Sequence, residues 1–449
     1  MSDTRDLRED ARAIFDDALA AVDARRATLE ALRVEGGSLC VNGERFDLSA
    51  RAYSVAIGKA AAAMASALEE RLGGAFARGV LSSPTSGSKL SERWRVFEGG
   101  HPLPNEASLD AARAAFVLLN EANASSSLVV FLISGGGSAM LELPCDARIT
   151  LEDLREANRV LVSCGAAIDE MNAVRRAFSS VKGGGLVTWS LRAQHARQLT
   201  LIVSDVPRGR ERDVASGPTL APDKGSPDAR EVVARYNLDS KLPRSITHAL
   251  EDSSASRVDE GVSSSSHYVL LDNESACEAA AESARGRGFA VEVARDIGEQ
   301  SVDAGAALLV SRLLETYARE ESKAQGVCLI SGGEFACPVR GRGTGGRNSE
   351  TALRCAFEFE KALRGRGVGA MPRRVLTLCA GTDGVDGNSP AAGAIASDAT
   401  LRRARERGLD AAKSLDESDA YTLFDALGDA IKTGPTGTNV RDLRILLAE

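Results

Sequence analysis

At 449 residues, 43% of them apolar, the chain can bury a large core, and two α/β domains of ordinary size fit its length as well as three smaller ones. Lys and Arg total 55 against 63 Asp and Glu, a net charge of −8 without any long basic stripe, which excludes nucleic-acid binding by bulk electrostatics. No apolar run approaches the roughly 20 residues of a membrane span, and four histidines with no pair at i, i+4 argue against a zinc site.

The N-terminal residues carry no apolar stretch and are rich in acids, unlike a secretory or transit peptide. Eight scattered cysteines lack any C-x-x-C pair and read as reduced thiols, so a cytoplasmic protein is expected. Leu7, Ala11, Ile14, Phe15, Ala18, Leu19 and Val22 follow the rhythm of an amphipathic helix. The segment Leu39 to Leu48 then predicts a hairpin pivoting on Asn42-Gly43. From there a phrase recurs in which a short β-rich apolar run ends in Gly, Ser or Asp and a helical segment begins. Its instances are Tyr53 to Ile57, Leu128 to Ile133, Leu199 to Val203, Tyr268 to Leu271, Val327 to Ile330 and Val375 to Cys379. Such alternation predicts α/β domains with mainly parallel sheets, whose ligands gather beyond the carboxyl ends of the strands. A helix starting at Thr150 and another from about Ala166 to Val181, stopped by Gly183 to Gly185, complete the first part. The loop-like stretch Glu251 to His267 holds the expected boundary, dividing the chain into residues 1–260 and 261–449. The first helix and the hairpin are left free to pack on either part.

The 43 glycines are an excess, and they cluster where strand ends would expose backbone N–H groups to an anion. The clearest case is Ser134-Gly135-Gly136-Gly137-Ser138. Read as structure it is a sharp turn; read as chemistry it is a phosphate cradle. Leu132-Ile-Ser-Gly-Gly is echoed at Leu329-Ile-Ser-Gly-Gly, which reads as shared loop chemistry rather than duplication. Gly341-Arg-Gly343-Thr-Gly-Gly346 formally fits G-x-G-x-x-G, but Pro338 interrupts the preceding strand and no acid follows at the usual distance. A loop covering phosphate therefore suits it better than a dinucleotide site. No Walker A sequence occurs.

Phosphoryl transfer needs cations, carboxylates for Mg²⁺ and backbone donors, and all three occur at strand ends. Lys59 follows the first strand of the repeated phrase, as a helix-start lysine or a phosphate contact. Asp205 ends a strand, and Asp383 and Asp386 lie in Gly381-Thr-Asp-Gly-Val-Asp-Gly387, where metal or hydroxyl contact competes with an Asx-turn. Asn172, Arg175, Arg176 and Ser179 form one helical face, either solvated or able to hold a ligand carboxylate through Arg175. His101 lies in the Pro-bounded loop Gly99-Gly-His-Pro-Leu-Pro104, as a loop brace or a substrate contact.

Together these loops resemble the MOFRL-type (class II) glycerate 2-kinase family. The matching pieces run in the family's order from Gly58-Lys-Ala-Ala61 through Gly100-His-Pro-Leu-Pro104, Leu132-Ile-Ser-Gly-Gly-Gly-Ser-Ala139 and Glu170-Met-Asn-Ala-Val-Arg175. They continue through Ser204-Asp-Val-Pro207, Ala215-Ser-Gly-Pro-Thr219, Gly332-Gly-Glu334 and Gly343-Thr-Gly-Gly-Arg-Asn-Ser-Glu350 to Gly381–Gly387 and Gly434-Pro-Thr-Gly-Thr-Asn439. The resemblance implies a larger Rossmann-like α/β/α domain and a smaller C-terminal α/β domain, with ATP, Mg²⁺ and D-glycerate meeting in the cleft between them. It implies Lys59 and Arg347 as catalytic cations. Substrate or phosphate contacts would come from Ser134, Gly135, Gly136, Gly137, Ser138, His101, Asn172, Arg175, Glu334, Asn348 and Glu350, with Asp205 and Asp383 near the metal. The expected reaction is ATP-dependent phosphorylation of glycerate at its 2-hydroxyl. The partners would be small molecules only, without nucleic acid or membrane, and a homo-oligomer is compatible with the sequence. A nicotinamide-dependent hydroxypyruvate reductase and a non-catalytic nucleotide-binding regulator are the alternatives. One departure from the family pattern is the basic run Arg208-Gly-Arg-Glu-Arg-Asp213, an added charge beside the nucleotide or substrate.

Overall fold

The computed structural model describes residues 6–84, 90–191, 196–223, 225–252, 265–320, 326–365 and 372–449. Two compact units emerge, Ala24–Leu271, and Met1–Asp23 together with Asp272–Glu449. The boundary expected at residue 260 lies outside the described residues. The helix Leu7–Ala21 belongs to the unit with the C-terminal part because its apolar face is buried among Cys277, Ala280, Ala281, Leu378 and Ile445. The hairpin stays in the unit Ala24–Leu271.

That unit contains the strands β1 (Arg33–Glu35), β2 (Ser38–Val41), β3 (Glu44–Asp47), β4 (Ala52–Ile57), β5 (Phe76–Ser83), β6 (Trp94–Glu98), β7 (Leu128–Ser134), β8 (Gln198–Val203) and β9 (Ser265–Leu271). Asn42 and Gly43 both take positive φ between β2 and β3, as a two-residue hairpin turn demands. The main sheet has the order β6-β5-β4-β7-β8-β9, with every pair parallel. The chain therefore builds outward from β4 to one side, then returns to β7 and builds outward on the other. In such doubly wound sheets a crevice opens where the order reverses, and here that point lies between the carboxyl ends of β4 and β7.

β5 and β6 do not stand out in the sequence. Their partner contacts explain why they form: Gly79 in β5 lies flat against the Trp94 ring of β6, and the Trp94 indole N–H donates to Glu69 at 3.0 Å. The predicted helix at 166–181 is shorter, Ile168–Phe178, because Ser179 turns to extended backbone and bridges to Pro144. Gly183 and Gly184 make a turn at positive φ, and Gly185 opens another helix, Gly185–Leu191, instead of simply stopping the first.

The second unit contains β10 (Ala290–Val293), β11 (Val327–Gly333), β12 (Val375–Gly381), β13 (Gly393–Ser397), β14 (Ala430–Ile431) and β15 (Asp442–Ala448), in the order β10-β11-β15-β12-β13-β14. The expectation of a mainly parallel sheet fails here. Only β10 and β11 pair in parallel, while β15 runs antiparallel to both β11 and β12, and β13 and β14 are antiparallel as well. The last strand enters the sheet from the end where β11 and β12 finish, so no crossover helix is needed. Its first residue, Asp442, consequently lies in register with Gly333 and Gly381.

Candidate functional site

In the unit Ala24–Leu271 the site residues gather at the β4/β7 reversal. Gly58 follows β4 with φ +111°, and a Cβ there would run into the carbonyl and hydroxyl of Ser134. This close approach brings the two strand ends together. The Ser134 hydroxyl donates to the Ile57 carbonyl at 3.2 Å and accepts the Ala60 N–H at 3.0 Å, and the Lys59 N–H donates to the Gly135 carbonyl at 3.0 Å. Ser134 is thus a buried strut, its side chain already used. The Lys59 stem lies along Gly136, whose missing side chain leaves room for it at φ +80°.

Among the described residues, no protein acceptor takes the N–H groups of Gly135, Gly136, Gly137 or Ser138. Backbone donors left this way at a strand end are a cradle for oxyanions. The loop's position is set from several sides. Gly137 sits against Ile57 and Ala215, Gly99 of the His101 loop sits against Ser82 and Met140, and His101 itself is exposed.

A chain of hydrogen bonds leaves Ser138. Its hydroxyl meets that of Ser216 at 2.8 Å, Ser216 donates to Asn172 Oδ1 at 3.0 Å, and Asn172 Nδ2 donates to Asp213 at 3.2 Å. Asn172 is 1% exposed, so the row it begins is not a solvated face, and its amide is committed to the protein. Ala215 and Ser216 both adopt positive φ, a costly conformation for residues with a Cβ and one that concentrates at functional sites. Arg175, one turn along the same helix, has a buried Nε without a hydrogen-bond acceptor among the described residues. Burial pushes its pKa down, and the Glu142 charge pulls back against that. A planar guanidinium can hold a carboxylate at two points.

Asp205 is half-buried just beyond β8. In the basic run that follows, Arg210 pairs with Asp213 at 2.8 Å and Arg212 with Asp223 at 2.9 Å. Most of the added charge is therefore answered within the protein rather than offered to a ligand.

In the other unit, Arg347 begins the helix Arg347–Gly365. A cation at a helix N-terminus is disfavoured by the helix dipole, and two carboxylates compensate. Its Nε donates to Asp442 Oδ2 at 2.5 Å, and its Nη2 lies 3.3 Å from Asp442 Oδ1 and 2.9 Å from Glu334. Burial alone would lower the Arg347 pKa, but Asp442 first and then Glu334 outweigh it and raise it. Asn348 is buried and donates through Nδ2 to Asp442 at 2.9 Å, while its Oδ1 has no partner among the described residues. Glu350 is buried between Arg340 and Arg354, each at 2.7 Å, a brace within the protein. Asp383 accepts the Val385 N–H at 3.0 Å, which is the Asx-turn geometry.

The second glycine loop is the opposite of the first. Gly343, Thr344, Gly345 and Gly346 donate their N–H groups to Glu417, Asp419, Asn388 and Asp386. Asp386 also takes the N–H groups of Asn348 and Ser349 at 2.8 and 2.9 Å, and burial pushes its pKa up. Gly346 has no Cβ because Asp386 occupies that space. The expectation of a phosphate-covering loop is corrected accordingly: these glycines serve close backbone packing, and their donors are spent. A pyrophosphate on this helix N-terminus would have to displace Asp386. Asp386 and Asp442, which carry this half, were not singled out as structural anchors in the sequence. Only their distant partners, 37 and 95 residues away, reveal them.

Family models match both parts of the chain: a domain of unknown function, DUF4147, over residues 10–251, and the MOFRL family over residues 327–442. A glycerate 2-kinase of Pyrococcus horikoshii is 33% identical over 416 residues, 91% of this chain and 90% of that protein. The chain belongs to the MOFRL-type glycerate 2-kinase family. Within that family it is also 37% identical to a putative hydroxypyruvate reductase of Agrobacterium vitis, covering 88% of this chain and 99% of the relative. The crystal structure of a glycerate kinase from Thermotoga maritima matches it with a TM-score of 0.80 at 30% identity, covering 99% of each chain. No described helix is long and apolar enough to cross a membrane.

Proposed function

We propose that this protein transfers the γ-phosphoryl group of ATP to the 2-hydroxyl of D-glycerate, giving 2-phosphoglycerate and ADP. The observation that carries the reading is the contrast between its glycine loops. The Gly135–Ser138 N–H groups have no protein acceptor among the described residues, whereas those of the G-x-G-x-x-G stretch are spent on Asp386 and its neighbours. Phosphate chemistry suits the first loop, and the second offers nothing to a nicotinamide dinucleotide. The kinase names of the relatives support the same choice over the reductase name.

In this reaction the glycerate hydroxyl oxygen bonds to the γ-phosphorus, the bond from that phosphorus to the β,γ-bridging oxygen breaks and leaves that oxygen on ADP, and the hydroxyl proton passes to solvent water. Lys59 and Arg347 neutralise charge growing on the transferred oxygens. The Gly135–Ser138 N–H groups hold phosphate oxygens, and Arg175 takes the glycerate carboxylate. Magnesium binds ATP mainly through phosphate oxygens and water with one or two carboxylates. Asp205 in one unit and Asp383 in the other each carry the hard oxygen donors such an ion takes, and a bound ion would supply further charge neutralisation. The eight cysteines are all unpaired, which fits the reducing cytoplasm.

An assay with ATP, D-glycerate and a mutase-free enolase, which accepts only the 2-phosphate, tests the reading. Enolase-dependent turnover is expected. NADH oxidation with hydroxypyruvate in its place would establish the reductase, and ligand-induced thermal stabilisation without phosphate transfer would establish a binding protein.

A further inference from the structure

Arg347 is paired through two of its three guanidinium nitrogens. Its Nε and Nη2 meet Asp442 and Glu334, while Nη1 has no partner among the described residues. The two carboxylates differ in kind: the Asp442 side chain is 3% exposed and that of Glu334 is 34% exposed. Asp442 is also the better fixed. It opens β15 in register with Gly333 and Gly381, and its carbonyl accepts Asn273 Nδ2 at 2.9 Å. The preceding carbonyl, of Arg441, accepts both the Thr382 N–H at 3.0 Å and the Thr382 hydroxyl at 2.7 Å. Arg441 itself takes φ +71°, a strained turn of the backbone immediately before the carboxylate. Asn348, next to Arg347, spends its amide on the same Asp442 oxygen.

We propose that Asp442 is the positioning residue of the transfer reaction, gripping the Nε–Nη2 edge of Arg347 so that the Nη1 edge is presented to the migrating phosphoryl group. The inference rests on the kinase reading. A planar guanidinium held at two points by one buried carboxylate has its plane and its free edge fixed. Donors aimed at developing charge accelerate transfer only when their orientation is settled beforehand. Asp442 touches neither substrate nor nucleotide in this account; it acts through Arg347.

The test is a double-mutant cycle on the full-length enzyme. Asp442→Asn keeps the size and removes the charge, and is expected to lower kcat by roughly 10- to 100-fold, while KM for ATP and for glycerate stays within about 3-fold. In the Arg347→Ala background the same substitution is expected to change kcat no further, because there is no guanidinium left to position. Independent, multiplicative losses in the two variants, or a folded Asp442→Asn enzyme with wild-type kcat, overturn the inference. If Asp442→Asn does not fold, Asp442→Glu replaces it in the cycle, since it retains charge and displaces the grip by one methylene. Failure of both to fold assigns Asp442 to the strand junction alone and also overturns it. A wild-type enzyme that makes no 2-phosphoglycerate overturns the kinase reading and this inference together, whereas an active wild type with an additive cycle overturns only the latter.

Discussion

The Lys182 ammonium pairs with the Glu142 carboxylate where their side chains are 3% and 2% exposed, and its Nζ also donates to the Ser138 carbonyl at 2.9 Å. A buried pair thus holds the far end of the candidate phosphate loop. Burial pushes the Lys182 pKa down, with Glu142 opposing it, so neither charge tolerates loss of the other. Glu142→Gln and Lys182→Met are each expected to cost about 3–5 kcal/mol in chemical denaturation, because each strands one buried group. The double variant Glu142→Leu/Lys182→Met should lose less than the sum of its singles. Strictly additive losses would show that the two groups are not energetically coupled.

Gly58 allows β4 and β7 to meet. Alanine there combines φ +111° with a collision against the backbone of Ser134. Gly43 also has positive φ, but nothing stands within 4 Å of its would-be Cβ. Gly58→Ala should therefore destabilise the protein by well over the ~1 kcal/mol expected from a conformational penalty alone, and by more than Gly43→Ala. It should also depress turnover, since Lys59 is the next residue. Equal shifts in Tm for the two variants would contradict this account of the strand ends.

Lys59→Ala and Arg347→Ala should each lower kcat by roughly 10²-fold or more in the enolase-coupled assay if both cations act in the transition state. Arg347→Lys should not restore activity, because an ammonium cannot be gripped along one edge by Asp442 and present another. Unchanged turnover in a folded Lys59→Ala or Arg347→Ala enzyme would remove that residue from the mechanism.

Acid sensitivity has an identifiable contributor at the start of the helix Ile168–Phe178. The Tyr236 hydroxyl at 2.7 Å, the Ala167 N–H at 3.0 Å and the Arg235 guanidinium hold the Glu170 pKa below the usual carboxylate range. On acidification the unfolded chain takes up this proton before the folded one does. The stabilisation is present above the unfolded value of about 4.3 and is lost as pH falls through the lower folded value. The Tm difference between wild type and Glu170→Gln should accordingly shrink between about pH 6 and pH 3. A difference independent of pH would show that Glu170 contributes no titrating interaction.

Much of the architecture was legible from local patterning. The strands β4, β7, β8, β9, β11 and β12 announce themselves as apolar runs ending in Gly, Ser or Asp, and Thr150 and Asn42-Gly43 mark a helix start and a hairpin through chemistry confined to a few neighbours. β5 and β6 were not legible in this way, since their pairing rests on Gly79 beneath Trp94. The antiparallel placement of β15 was hidden too, because an apolar run does not state its direction within a sheet.

The same division holds at the site. By itself the sequence determined which glycines, cations and carboxylates lie at strand ends, because strand, turn and helix follow from spacing over a few residues. Only the tertiary structure decided which of those groups remain available to a ligand. Two glycine loops of similar composition part there: Asp386 fills the donors of Gly346, Asn348 and Ser349, while the N–H groups of Gly135–Ser138 have no such acceptor among the described residues. Asp442 likewise becomes the anchor of Arg347, 95 positions away in sequence, only when the chain between them has folded. A buried hydrogen-bonding group is satisfied by whatever the fold brings beside it, and that partner is fixed by sheet order and register rather than by proximity along the chain.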